Sequence, residues 1–112
     1  MEAVEFVSAI RQRVIENDFL AYVEQLSTID DAKDPIWKEI LKLYRGMTKE
    51  QQESFLKFVK LIQVNSVSHF LGILDGSTYL NEKRENFILT TKSQIEIING
   101  DLQDIFLEME GA

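Results

Sequence analysis

The chain has no cysteine, which excludes disulfides, thiolate catalysis, zinc–thiolate sites and iron–sulfur clusters. It has a single histidine, His69, so a site with several histidine ligands is excluded as well. The five glycines are scattered and form no phosphate-cradling loop. We therefore expect no cofactor and no metal ion.

Long hydrophobic runs are also missing. No apolar stretch approaches the ~20 residues needed to cross a bilayer. The first ten residues, MEAVEFVSAI, are acidic where a secretory signal would be basic. These features predict a cytoplasmic protein with no membrane contact.

Positive charge is scarce: the 112 residues carry a formal net charge of −7. A phosphate backbone would repel such a protein as a whole, so nucleic-acid binding is not expected. The basic side chains concentrate in residues 35–60, where Lys38, Lys42, Arg45 and Lys49 recur at helical spacing. This basic stripe is typical of a solvated helix face, and the alternative is a contact with an acidic partner.

The length is that of one domain, residues 1–112, and the apolar pattern predicts a mainly α fold. The core element is expected to be one long central helix over about 48–74 in a small bundle. Thr48 and Gln51 form the pattern of a capping box at its start, and Asp75-Gly76 marks its end.

Shorter helices are predicted on the N-terminal side. Apolar residues fit one helix over 2–16, and a phase slip near Asn17-Asp18 predicts a break or kink before a second helix over about 18–28. Asp34 and Pro35 are a strong start signal for a third helix. Gly46 is expected to end that helix in the left-handed region.

The C-terminal third allows two interpretations. Short β-favouring runs around a charged turn predict a small hairpin over about 86–98, followed by a helix over about 101–110. The alternative is a continuous helix over 94–109, although Gly100 would weaken it by roughly 1 kcal/mol relative to alanine. The hairpin is favoured.

The stretch NSVSHFLGILDGST raises the question of a hydrolytic triad. Ser66 and His69 can share a helix face, but Asp75 lies well around and along the helix. A helix interior also offers no free backbone N–H for an oxyanion hole. We predict no catalytic residue here, and expect His69 to be a neutral histidine at the core edge, bonded to Asn65 or to a packed neighbour.

From Leu61 to Leu74 the chain carries no aspartate, glutamate, lysine or arginine. Such a helix is expected to be buried, or to present one side as an interface. Gly72 indicates close approach of another helix. The candidate pocket or interface comprises Asn65, Ser66, His69, Gly72, Trp37 and Tyr44.

The segments HFLGILDG and NGDLQDIFLEM resemble those of small bacterial all-helical proteins, some of which are similar to toxin-immunity proteins. The resemblance covers roughly the C-terminal half and assigns no functional residue. It implies a protein-binding role in a bacterial cytoplasm.

Three functions follow as hypotheses. The first is a non-enzymatic protein-binding module, such as an immunity-like inhibitor or small adaptor with an acidic surface. The second is a homo-oligomeric helical protein of structural role. The third is a ligand-binding or enzymatic domain with a pocket near His69.

Overall fold

Helices form where the sequence supplies an apolar stripe between start and stop signals. The computed structural model describes residues 1–28, 31–82 and 85–111. The helical elements are α1 (Ala3–Ile10), a π-helical segment (Arg11–Asn17), α2 (Asp18–Thr28), α3 (Pro35–Arg45), α4 (Lys49–Asp75) and α5 (Leu102–Met109).

The predicted starts of α3 and α4 are confirmed at the level of single hydrogen bonds. Asp34 Oδ1 accepts from the backbone N–H groups of Ile36 at 2.8 Å and Trp37 at 3.2 Å. Thr48 Oγ1 accepts from the Gln51 N–H at 3.1 Å, and Gln51 Oε1 accepts from the Thr48 N–H at 2.9 Å. At the start of each helix, the cap side chains therefore satisfy backbone N–H donors that the first helical turn leaves unpaired.

The two glycine stop signals behave differently. Gly76 ends α4 in the left-handed region with φ 81°, and the Ser77 N–H donates to the Gly72 carbonyl at 2.9 Å. Gly46 follows α3 with φ −79°, so the predicted left-handed end of α3 is wrong. The turn at Gly46 instead keeps a right-handed conformation and leads directly into the cap of α4.

Of the break or kink predicted near Asn17-Asp18, the break does not occur, because the chain stays helical from α1 into α2. The π-helical segment adds backbone to one turn and so absorbs the phase slip of the apolar pattern. Three consecutive side-chain pairs at five-residue spacing accompany it: Arg11 with Glu16, Gln12 with Asn17 and Arg13 with Asp18. The second helix begins at Asp18, as predicted.

The predicted hairpin over 86–98 is wrong, as is a continuous helix over 94–109; the described residues contain no strand. One backbone bond joins the two arms, from the Ile98 N–H to the Leu89 carbonyl at 2.8 Å. Asn99 takes the place of a second strand, accepting from the Leu89 N–H at 2.7 Å and donating to the Phe87 carbonyl at 2.8 Å. The last helix is confirmed as α5.

Two hydrophobic clusters lie along the molecule, and α4 contributes to both. The larger cluster joins α1, the π-helical segment, the second half of α4 and α5 around Val7, Ile15, Leu71, Ile98, Leu102 and Phe106. The smaller cluster joins α2, α3 and the first half of α4 around Leu26, Leu41 and Tyr44.

The long helix α4 is not wrapped by the rest of the chain. Of its 27 residues only Ser68, Leu71 and Gly72 are buried. The molecule measures 50 × 32 × 30 Å, and its radius of gyration of 17.5 Å exceeds the about 13 Å expected for a compact domain of this length. The expected central helix is present, but one side of its supposedly buried half faces solvent.

Candidate protein-interaction surface

The inner side of the second half of α4 packs against α5. A Cβ added to Gly72 would lie 2.7 Å from Thr78 Oγ1 and 2.9 Å from the side-chain amide of Gln103. The predicted close approach of another helix at Gly72 is therefore confirmed. The approach occurs within the chain, so Gly72 does not belong to an exposed interface.

A polar network fixes the position of α5 on α4. Gln103 Nε2 donates to the Ser68 carbonyl at 3.0 Å and to Ser68 Oγ at 3.2 Å. Ser77 Oγ donates to Gln103 Oε1 at 3.0 Å. These bonds satisfy Ser68, the one polar residue buried among the described residues, and give it a structural role.

Asp75 caps α5 across the chain. Its carboxylate accepts from the Gly100 N–H at 2.7 Å and from the Gln103 N–H at 2.8 Å. Asp101 stands at the usual cap position of α5, but its side chain makes no cap hydrogen bond. Asp75 thus replaces the local cap, and its carboxylate is committed to the fold.

The opposite side of α4 carries a continuous exposed surface, here called the outer face. Its apolar members are Phe58, Leu61 and Ile62, with exposed fractions of 57%, 52% and 48%. Phe70 is also exposed, but it follows Leu61 by nine residues, which is half a turn around the helix, and it lies beside the α1 side of α4. Its polar members are Asn65, Ser66 and His69, all exposed. Contiguous apolar surface of this kind is unusual on a monomer and marks sites of interaction.

Three of the predicted site residues, Asn65, Ser66 and His69, therefore come together on the outer face. His69 is exposed, so its expected place at a core edge is wrong. The reason is that the stripe containing Phe58 and Ile62 faces solvent and not a neighbouring helix. The chain offers His69 no carboxylate one turn away in either direction.

Trp37 and Tyr44 lie in a different part of the molecule. Tyr44 is buried in the smaller cluster, where its ring centroid is 5.8 Å from that of Phe55. Trp37 packs against the same cluster, with its ring 6.3 Å from that of Tyr22. Both aromatic residues hold α2, α3 and α4 together, and the structure does not bring them to the outer face.

An apolar groove adjoins the outer face where α1 and the π-helical segment lie against α4. Its volume is about 390 Å³, and Ser66 and Phe70 form part of the wall contributed by α4. Ile10 and Val14 line the opposite wall. The groove extends the exposed apolar surface sideways from α4.

The predicted basic stripe is divided between two helices. Lys38, Lys42 and Arg45 lie on α3 and Lys49 is the first residue of α4, and all four are exposed, as expected for solvated helix faces. Binding of an acidic partner at this stripe stays a prediction.

The N-terminal helical elements and α5 are joined by an ion pair. Arg11 Nε lies 2.6 Å from Glu110 Oε1, and Arg11 Nη1 lies 3.0 Å from Glu16 Oε1. The hydrogen bond with Glu110 raises the pKa of the Arg11 guanidinium above its usual value, partly opposed by desolvation. Arg11 therefore keeps its charge and acts as a fixed structural contact.

Residues 1–28, 31–82 and 85–111 contain neither a candidate membrane span nor a candidate metal-binding cluster. No helix in these ranges is long and apolar enough to span a bilayer. In the same ranges, histidine and carboxylate side chains form no group of three or more able to hold a metal ion.

Comparison of the chain with known protein families, with curated proteins and with solved structures finds no match. The similarity to toxin-immunity proteins therefore stays a prediction.

The apolar members of the outer face were expected either to be buried in the core or to form an interface on one side of α4. Helical spacing alone does not distinguish a buried stripe from an exposed one, because both repeat with the same period. A second signal was present in the absence of charge from Leu61 to Leu74. The absence of charge affects both sides of α4 equally, so it does not indicate which side is buried. In the structure one side packs against α5 and the other faces solvent.

Proposed function

We propose that this chain is a non-enzymatic protein-binding module and that the outer face of α4 is its binding surface. The observation that carries the proposal is the exposure of three large apolar side chains, Phe58, Leu61 and Ile62, on one side of a helix. Adjoining exposed apolar side chains such as Phe58, Leu61 and Ile62 form a surface that a partner protein can cover.

The composition of the outer face supports binding in preference to catalysis. Burial of one such side chain contributes about 1.5–3 kcal/mol, so a few anchors suffice for a stable complex. Asn65, Ser66 and His69 add polar groups that a partner can satisfy by hydrogen bonds. A reaction would require activated groups, and the His69 imidazole has no carboxylate one helical turn away to orient it.

The remainder of the surface favours a small inhibitor or adaptor, as the similarity to immunity proteins implies. The net charge of −7 would accelerate encounter with a basic partner. The outer face itself has no charged member, so affinity would come from apolar contact and specificity from its polar members.

The test compares two isoleucine-to-aspartate variants. Ile62→Asp places a charge at the centre of the outer face, while Ile36→Asp makes the same change on α3, where Ile36 is 68% exposed. Partners are captured from bacterial lysate with wild type and both variants, then purified and titrated by calorimetry. We expect wild type and Ile36→Asp to bind alike, and Ile62→Asp to bind at least about tenfold more weakly.

Circular dichroism of both variants controls for folding. Equal binding by Ile62→Asp and wild type would remove the outer face from the proposal. Recovery of no partner over a range of salt concentrations would count against binding of another protein.

A further inference from the structure

We infer that the outer face binds the outer face of a second copy of this chain, with the two α4 helices parallel and in register. This inference rests on the proposed function, because it names the partner of the same surface. Spacing, polar pattern, charge and exposed area each support it.

The spacing along α4 is that of a two-helix seam. Residues on its exposed side follow one another at alternating intervals of four and three, the pattern by which paired helices interlock. The seam consists of Gln51, Phe55, Phe58, Ile62, Asn65 and His69. Phe55 is half-buried against Tyr44, and the other members are exposed. Because Gln51 caps the start of α4 and Phe55 packs against α3, the part of the seam that is open to a partner runs from Phe58 to His69.

The polar members of the seam decide its direction. In a parallel pair in register, Phe58 meets Phe58, Ile62 meets Ile62 and Asn65 meets Asn65. An asparagine amide both donates and accepts, so Asn65 can satisfy its own counterpart. An antiparallel pair centred between Phe58 and Ile62 would instead set Asn65 against Phe55 and leave its amide unsatisfied.

Charge does not oppose self-association at this surface, although each copy carries −7. The seam has no charged residue, and its flanking positions Leu61, Val59 and Ser66 are also uncharged. Lys57 and Lys60 lie on another side of α4, where Lys60 covers the ring of Phe19 at 5.5 Å. Two copies can therefore meet without burying like charges.

The exposed area matches what a dimer needs. The chain exposes 8339 Å², whereas a compact monomer of this mass exposes about 6,300 Å². The excess is larger than the about 800 Å² per partner that a standard interface buries. This excess belongs to the whole chain and includes exposed residues outside α4, such as Ile88 and Ile95. Pairing of the seams would cover the part of it that lies along α4.

The first measurement is the mass in solution by sedimentation and light scattering across a concentration series. Wild type and Ile36→Asp should both reach twice the 13.0 kDa of one chain. Ile62→Asp should stay at the mass of one chain while its circular dichroism remains helical. A wild type that is monomeric at the highest concentration overturns the inference.

The second measurement uses the absence of cysteine. Single variants Ile62→Cys, Asn65→Cys and His69→Cys are oxidised and analysed on non-reducing gels, with Ile36→Cys as the control. A disulfide requires Cα atoms about 4.4–6.8 Å apart, so only a parallel pair in register cross-links efficiently at all three positions. Cross-linking at one position alone would indicate an antiparallel pair and overturn the inference.

The two proposals can fail separately. A monomeric chain that captures another protein through Ile62 retains the proposed function and overturns self-pairing. A chain that cross-links at all three positions and captures no other protein supports self-pairing and removes the role of inhibitor or adaptor.

Discussion

The two hydrophobic clusters of this molecule are closed in different ways. In the larger cluster Val7, Ile15, Leu102 and Phe106 are almost completely shielded from solvent. They come from segments nearly 100 residues apart, so the cluster joins the two ends of the chain. In the smaller cluster Leu26, Leu41 and Tyr44 retain 3–8% exposure and come from helices that follow one another in sequence.

Polar contacts reinforce the same difference. Hydrogen bonds between distant segments surround the larger cluster. Asp75 at the end of α4 accepts from backbone N–H groups at the start of α5, and Gln103 of α5 donates to α4. The smaller cluster depends on local caps, such as Asp34 at the start of α3. Long-range closure should make the larger cluster the main source of global stability, and the smaller one should open more readily.

The largest expected effect comes from removing a side chain at the centre of each cluster. Phe106→Ala should lower the free energy of unfolding by about 3–5 kcal/mol, because it leaves a cavity among fully buried neighbours. Leu41→Ala should cost less, about 2–3 kcal/mol, since the smaller cluster can collapse around the gap. Urea unfolding followed by circular dichroism measures both. A larger cost for Leu41→Ala would reverse the assignment of the stabilising cluster.

A smaller effect is expected from the cross-chain cap of the larger cluster. Asp75→Ala removes an ionised acceptor from two backbone N–H groups and should cost about 2 kcal/mol. Asp101→Ala, at the usual cap position of the same helix, should change stability by less than about 0.5 kcal/mol. Thermal unfolding of the two variants compares them directly, and equal losses would show that Asp75 is not the cap.

The local elements of the fold could be predicted because their determinants are adjacent in sequence. Asp34 with Pro35, and Thr48 with Gln51, cap helices within one turn. The π-helical segment was not predicted, although its paired polar residues at five-residue spacing, such as Arg13 and Asp18, were a readable signal.

The non-local features could not be predicted in the same way. The β-favouring residues of 86–98 do not form a hairpin, because the side chain of Asn99 bonds the backbone that a second strand would pair. For the candidate site, the sequence identified Asn65, Ser66 and His69 but not the exposure around them. Which side of α4 is covered depends on α5, and that contact is fixed by Gln103, more than 30 residues from Ser68.

The smallest expected change in stability comes from weakening the ion pair that joins the two ends of the chain, compared with weakening a local ion pair. Glu110→Gln weakens the contact with Arg11 that joins the π-helical segment to α5, and should cost up to about 1 kcal/mol at low salt. Asp18→Asn weakens the more exposed pair with Arg13 and should have almost no effect. Urea unfolding at low and high salt measures both, and the difference should shrink as salt screens the charges. If Glu110→Gln were as silent as Asp18→Asn, closure of the larger cluster would depend on packing and on the Asp75 and Gln103 hydrogen bonds, without electrostatic support from Arg11.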